Sequence, residues 1–417
     1  MKSKKSIFAS LYRPAVMLSL TVLSGCSIGR FGNDSKLFVA GPRLGDGKEW
    51  RQYPVVVDFD RDGKLDILAT HRRPLHENSL VFWKGDGTGG FTSVEQNWPS
   101  PGYSGLGVGD IDKDSDLDVV AASHFNRVHT LIQDSATANS PALKERVMPT
   151  TDGYIAAHVL ELSGDGIPDL ILLGNERAGI EIYNGDGEGQ WLLEQQLAYN
   201  TIGRDLKIVD MNKDGMSDLV ATLGRGGGVK IFTQGKAEKS QNTIWNEKTL
   251  PDLGSKTGEF RSIDVADIDG DGVLDIGLNG GFAGLAEKNG PDVFLSRSGD
   301  QWVPISDGLK EWRNPTPGIA FGDFNGDGHI DLVAGGNSEG QLDEEAYGLF
   351  LFLGDGGKSW RLAEDSGLPE TGLARPHAIV ARDLNGDSVT DFVVTHGAPE
   401  EGTGYVSVWF GVAPQPS

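Results

Sequence analysis

One short acidic segment recurs seven times along the 417-residue chain, and a repeat of that regularity confines it to an architecture built from copies of one unit. The copies read DFDRDGKLD from Asp58, DIDKDSDLD from Asp110, ELSGDGIPD from Glu161, DMNKDGMSD from Asp210, DIDGDGVLD from Asp267, DFNGDGHID from Asp323 and DLNGDSVTD from Asp383. Their starts are 52, 51, 49, 57, 56 and 60 residues apart. A single Asp-Gly stretch is an ordinary hairpin turn. Seven in register are a structural unit.

Each copy places oxygen-bearing side chains at positions 1, 3, 5 and 9. They are Asp58, Asp60, Asp62 and Asp66 in the first; Asp110, Asp112, Asp114 and Asp118 in the second; Glu161, Asp165 and Asp169 in the third, where Ser163 takes position 3. The fourth has Asp210, Asn212, Asp214 and Asp218, and the fifth Asp267, Asp269, Asp271 and Asp275. The last two have Asp323, Asn325, Asp327 and Asp331, then Asp383, Asn385, Asp387 and Asp391. Calcium accepts six to eight oxygens in an irregular cage, which a flexible loop of carboxylates and amides supplies. Up to seven calcium ions are therefore expected. Glycine at position 6 allows the positive φ of a tight wrapping turn. Ser115 and Ser388 replace it in the second and seventh copies and predict a less easily formed turn. The first, fifth and sixth loops are the firmest expected sites; Glu161 and Ser163 make the third the weakest.

An EF-hand would run on to a twelfth-position glutamate between helices. Here each ninth residue leads into a short apolar run such as LDILAT, LDVVAA or IDLVAG, so the loops join β-strands. An apolar strand enters each loop and another leaves it. A third, such as SLVFWKG or YGLFLFLG, turns through segments like GDGTGG into a polar fourth. Four antiparallel strands repeated seven times predict an all-β, seven-bladed propeller. The chain ends after the third strand of the last blade, and Lys36 to Arg43 (KLFVAGPR) is the apolar stretch left to supply the missing strand and close the ring.

These DxDxDGxxD loops between strands resemble the FG-GAP/VCBS repeats of integrin α-subunit heads and of many bacterial envelope proteins. The resemblance spans residues 36–411, with 412–417 as a tail. It implies calcium in the loops on one face of the propeller and ligand on the opposite, upper face.

The formal net charge of −23 matches a large carboxylate excess concentrated in the loops, and the chain offers no basic stripe for a phosphate backbone. Nucleic acid is excluded as a partner on this ground. At the amino terminus three lysines precede an apolar stretch that ends in LSGC at Cys26, the one cysteine in the chain. This resembles a bacterial lipoprotein signal: residues 1–25 would be removed, Cys26 lipidated, and residues 26–35 would form a tether. Ser27 after the cysteine favours the outer membrane in that signal class, facing either the periplasm or the cell surface.

Upper-face segments carry basic and aromatic groups. Connections after the second strands contribute His71, Arg72, His76, His124, Asn126, Arg127, Asn175, Arg177, Arg225 and His396; the segments entering each blade contribute Tyr103, Tyr154, Arg204, Arg261, Arg375 and His377. Of these, His71, Arg72, His124, Arg127, Arg204, Arg261, Arg375, His377 and His396 are the candidate ligand-binding residues. A monomeric calcium-stabilised module binding a glycan or an envelope or extracellular protein fits best. A polysaccharide hydrolase or lyase with its site at the propeller mouth, and a periplasmic assembly scaffold, are the alternatives. No HExxH, paired cysteine or GxSxG motif points to an enzyme class.

Overall fold

The computed structural model describes residues 36–72, 79–95, 98, 104–125, 127–134, 142–224, 226–236, 243–250, 260–280, 290–297, 301–312, 316–337, 346–397 and 402–413. The signal segment, Cys26, the tether, His76, Tyr103, Asn126 and Arg225 lie outside the described residues.

A first strand, β1 (Phe38–Leu44), precedes seven four-stranded antiparallel sheets to which it contributes one strand. Blade 1 is β2 (Val55–Val57), β3 (Asp66–Thr70), β4 (Leu80–Gly85) and β5 (Phe91–Val94). Blade 2 is β6 (Ser104–Gly109), β7 (Asp118–Ser123), β8 (Arg127–Asp134) and β9 (Ala142–Pro149). Blade 3 is β10 (Tyr154–Leu160), β11 (Asp169–Gly174), β12 (Ile180–Gly185) and β13 (Trp191–Leu197). Blade 4 is β14 (Gly203–Val209), β15 (Asp218–Leu223), β16 (Gly228–Lys236) and β17 (Thr243–Thr249). Blade 5 is β18 (Ser262–Ala266), β19 (Asp275–Asn279), β20 (Asp292–Arg297) and β21 (Gln301–Pro304). Blade 6 is β22 (Ile319–Gly322), β23 (Asp331–Asn337), β24 (Tyr347–Gly354) and β25 (Trp360–Leu362). Blade 7 is β26 (Arg375–Arg382), β27 (Asp391–Gly397), β28 (Tyr405–Gly411) and the returning β1.

Burial explains the strand order. Each second strand is buried at every residue, as its continuous apolar run predicts, because both of its faces meet neighbouring blades. Fourth strands are half exposed and carry alternating polar residues. The core is distributed between blades. Phe59 and Leu68 of blade 1 pack with Leu106 and Val119 of blade 2, and equivalent clusters fill each successive seam. The last seam joins Leu384 and Val393 of blade 7 to Trp50 and Ile67 of blade 1.

β1 closes the ring as the sequence predicts. Phe38 pairs with Gly411, Ala40 with Trp409 and Leu44 with Val406, with a register shift between Ala40 and Arg43. Fully buried Phe38 sets its ring edge-on to Phe324 and Phe392, so the closing strand is packed as well as hydrogen-bonded.

Candidate functional site

Seven acidic loops lie on one face, each joining the first strand of a blade to the second. All seven share a backbone that bends twice through the left-handed region. At position 6 the φ values are 86° at Gly63, 83° at Ser115, 78° at Gly166, 83° at Gly215, 86° at Gly272, 85° at Gly328 and 68° at Ser388. Ser115 and Ser388 thus adopt the same turn as glycine, contrary to the weaker turn expected for them. Left-handed backbone costs a non-glycine residue about 1–2 kcal/mol, and the loop compensates through a fixed anchor. The N–H of Ser115 donates to Asp110 (3.3 Å) and that of Ser388 to Asp383 (2.9 Å), as Gly63, Gly215, Gly272 and Gly328 donate to their own first-position carboxylates. Position 4 is left-handed too, including Arg61, Lys113 and Lys213. Glycine at position 4 of four copies, Gly164, Gly270, Gly326 and Gly386, is the sequence sign of that second bend.

Position 5 plays one role in all seven loops: its carboxylate accepts the N–H of position 7, at 2.7–3.1 Å. The third loop departs elsewhere. Glu161 reaches the N–H of Gly164 rather than of position 6, in keeping with its longer side chain.

Ninth-position aspartates are the most deeply placed. Asp66, Asp118, Asp169, Asp218, Asp275, Asp331 and Asp391 are all buried. One oxygen of each accepts the N–H of position 2, as in Phe59 to Asp66 (2.9 Å) and Ile268 to Asp275 (2.9 Å). The other accepts an N–H from the third strand, as in Gly85 to Asp66 (2.8 Å), Gln133 to Asp118 (2.8 Å) and Ser296 to Asp275 (2.8 Å). These residues staple loop to blade, and in Asp66, Asp169 and Asp331 the loop-facing Oδ2 accepts the N–H of position 3 as well. Burial raises their pKa values, to about 6 for Asp66, Asp275 and Asp391 and to about 7 for Asp118 and Asp331.

Carboxylate oxygens converge within 4.8 Å of one another in three loops: Asp58, Asp60 and Asp62; Asp110, Asp112 and Asp118; Asp267, Asp269 and Asp271. In the first and fifth loops the fit to a hard cation has a second sign. Asp58 Oδ1 and Asp267 Oδ1 are buried and lack a hydrogen-bond partner among the described residues. An unsatisfied buried carboxylate oxygen among like charges is costly unless a cation sits against it. Basic side chains partly answer that charge: Lys84 pairs with Asp60 and Asp62, and Arg297 with Asp269 (2.6 Å) and Asp271 (3.5 Å).

The opposite end of the axis is lined by the segments that enter each blade. Blades 3, 4 and 7 carry a register shift six residues before their acidic loops, around Ile155, Arg204 and His377. Such bulges re-aim a side chain. His377 is crowded by positive charge: its pKa lies well below the usual value through burial first, then Arg375, Arg51, Arg261 and His396. His377 and Arg51 meet over Gly397, where an added Cβ would lie 2.9 Å from the imidazole and 3.0 Å from Arg51 Cγ. Gly397 is itself the pairing partner of Arg375. Arg51 is also paired with Glu49, and Arg375 lies 5.9 Å from the Tyr347 ring centroid.

Deeper along the axis a polar cluster crosses the ring. The Tyr53 hydroxyl of blade 1 donates to Asp205 Oδ2 of blade 4 (2.7 Å) and lies 2.5 Å from Ser262 Oγ of blade 5. Asp205 also accepts the Ile263 N–H (2.8 Å), and Asp264 accepts that of Phe321 in blade 6 (2.8 Å). Lys207 pairs with Asp264 at 3.4 Å and sits 4.7 Å from the Tyr53 ring centroid. Burial opposes the charge on Lys207, but Asp264 and Asp205 outweigh it and raise its pKa. His158, three residues before its own loop, is held neutral by burial and Lys207, with a pKa near 4.

The remaining candidates are dispersed. His396 is fully buried within blade 7, with Nδ1 on the Ala374 carbonyl (2.7 Å), Nε2 on Ser407 (2.8 Å) and its ring stacked on Tyr405. His71 is buried against Trp50. Tyr154 is buried too, donating to Glu181. His124 contacts Asn175 (3.1 Å), with Arg72 close enough to lower its pKa further after burial. Arg127 is exposed at the start of β8. Arg51, Tyr53, Lys207 and Asp264 are mouth and channel residues that belong to no motif in the sequence. Lys207 and Asp264 are polar residues inside the entering strands β14 and β18, whereas Arg51 and Tyr53 precede β2.

The FG-GAP-like repeat profile matches residues 58–121, 162–221, 210–278 and 323–394, together more than half of the chain. Cartilage acidic protein 1 of Xenopus tropicalis is 25% identical over 285 residues, 61% of this chain and 42% of that protein, so the chain spans less than half the length of that relative. Among solved structures, BBS1N in complex with ARL6DN superposes with a TM-score of 0.52 at 10% identity, covering 91% of this chain and 99% of that one. The Myceliophteria thermophila Cps50 (Swd1) β-propeller domain gives 0.50 at 12% identity, covering 90% of this chain and 100% of that one. These two likenesses show the fold.

Proposed function

The chain belongs to the FG-GAP-like repeat family, and from that premise we propose that it is a calcium-stabilised ligand-binding or adhesion module of the bacterial envelope, holding a glycan or a protein on the face opposite its acidic loops. The observation that carries this reading is the separation of two chemistries. Clustered carboxylates with orphaned buried oxygens lie in the loops on one face, while cationic side chains gather around His377 at the other end of the axis.

In the first and fifth loops the carboxylates of Asp58, Asp60 and Asp62, and of Asp267, Asp269 and Asp271, would hold the ion, and calcium there would neutralise charge and brace the turn between two strands. Binding is favoured over catalysis because His396, the second imidazole a catalytic set would draw on, spends both ring nitrogens inside blade 7. Attachment to the outer membrane through Cys26 is supported by the lysine-led apolar segment that ends in LSGC. The test is binding of the purified protein to a glycan array and to envelope extracts, with calcium and with chelator. Retention of a ligand that weakens with Arg204→Ala and survives Asp271→Ala in excess calcium supports the reading. Absence of any ligand, or equal loss in both variants, would overturn it.

A further inference from the structure

We propose that the axial mouth recognises the anionic group of an acidic saccharide, with Arg51, Arg261, Arg375 and His377 as its binding residues; this deepens the ligand-binding reading above and rests on it. The four residues come from blades 1, 5 and 7 and so are separate in sequence, yet they converge. Arg375 faces Gly397 across the β26–β27 ladder, the bulge after Pro376 turns His377 over the same glycine, and Arg51 Cγ closes on it from blade 1. Arg261 enters from blade 5, its N–H held by the Asn279 carbonyl (3.0 Å). Absence of a side chain at residue 397 is what makes this possible, since a Cβ there would strike both His377 and Arg51.

Guanidinium groups brought together around a neutral imidazole provide forked donors suited to a carboxylate or sulfate. They are half-buried rather than fully exposed, which strengthens their attraction for an anion relative to surface arginines. Burial first, and after it the neighbouring Arg375, Arg51 and Arg261, lowers the pKa of His377.

The floor argues for a sugar unit. Lys207, Asp264 and His158 stand three residues before their acidic loops, against six for His377, so they lie about 10 Å deeper at roughly 3.3 Å per residue. Tyr53, five residues before its own loop, reaches across the axis to Asp205 and Ser262 at the same register, about 3 Å below His377, and so bridges the passage above those groups. The result is a cup with a charged rim and a floor of aromatic, hydroxyl and ionised groups. A terminal saccharide bearing one anionic group and several hydroxyls matches both levels.

Calorimetric titration of the purified protein in excess calcium tests this with glucuronic acid, glucose 6-sulfate, glucose and a capped Asp-Glu dipeptide as probes. Binding of glucuronic acid or the sulfated sugar, weakening with salt and by about tenfold or more in Arg375→Gln and Arg261→Gln, with melting temperatures unchanged, is the expected result. The stronger of the two acidic sugars identifies carboxylate or sulfate as the preferred group. Equal binding of glucose, or indifference to both arginine substitutions, overturns the anion pocket while leaving a ligand-binding face intact. Binding of the dipeptide without either acidic sugar replaces the saccharide by an acidic peptide and overturns the assignment. Silence of all four probes, together with an empty glycan array, removes the ligand-binding reading as well.

Discussion

The two ends of the propeller axis obey different rules. On the loop face one solution is repeated seven times: the left-handed positions 4 and 6, the carboxylate at 5 and the buried aspartate at 9 recur with nearly constant geometry. At the mouth the blades differ from one another. Six residues before their loops they carry Gln52, Ser104, Ile155, Arg204, Arg261, Pro317 and His377 in turn. Repetition marks what every blade needs in order to hold its shape; departure from it marks what the ring as a whole has been given.

Substitutions sharpen that contrast. The largest effect is expected for Asp275→Ala, which strands the N–H groups of Ile268 and Ser296 and should cost about 4 kcal/mol in calcium and in chelator alike; denaturant unfolding in both buffers checks it. A loss confined to calcium buffer would make this aspartate a ligand only, not a staple. Asp271→Ala removes an exposed fifth-position carboxylate. Its expected cost is about 2–3 kcal/mol with saturating calcium and close to none in chelator, measured in the same way.

A third expectation concerns pH. Burial raises Asp66, Asp275 and Asp391 to about 6 and Asp118 and Asp331 to about 7 in the metal-free fold. The folded state therefore holds protons that the unfolded chain has already lost, and their contribution to apo stability falls as pH rises from about 4 to 7. Buried His158, His377 and His396 act in the opposite direction below their unfolded value, but equally with or without metal. The difference in melting temperature between calcium and chelator should thus widen from pH 5 to pH 7.5. A constant difference would mean that protons and calcium do not compete. The smallest effect belongs to the mouth: Arg204→Ala should change stability by less than about 0.5 kcal/mol while weakening ligand, and a fold defect there would erase the division of labour.

Much of this was readable from the chain because it is local. The loop spacing, the apolar run after each ninth residue and the missing last strand yield the seven blades and the closing role of Phe38 to Leu44 without any tertiary information. What escaped depends on contacts across the ring. Tyr53 meets Asp205 only because blades 1 and 4 face each other over the axis, and Arg51 meets His377 only because blade 1 follows blade 7 in the closed circle. His396 was readable and was misplaced: it lies inside β27, and every residue of a second strand is buried, so its place in the apolar run outweighed its polarity. Ser115 and Ser388 teach the converse, since a backbone anchored by a first-position carboxylate holds a turn that composition alone disfavours.

Thermal unfolding of the purified protein at neutral pH, in calcium and in chelator, tests the central claim most directly. If cations in the acidic loops brace the blades, chelation lowers the melting temperature and added calcium restores it, at about 2.7 kcal/mol for each site held at a hundredfold excess over its dissociation constant. An identical transition in both buffers would contradict the claim and leave the repeated carboxylates as turn-formers alone.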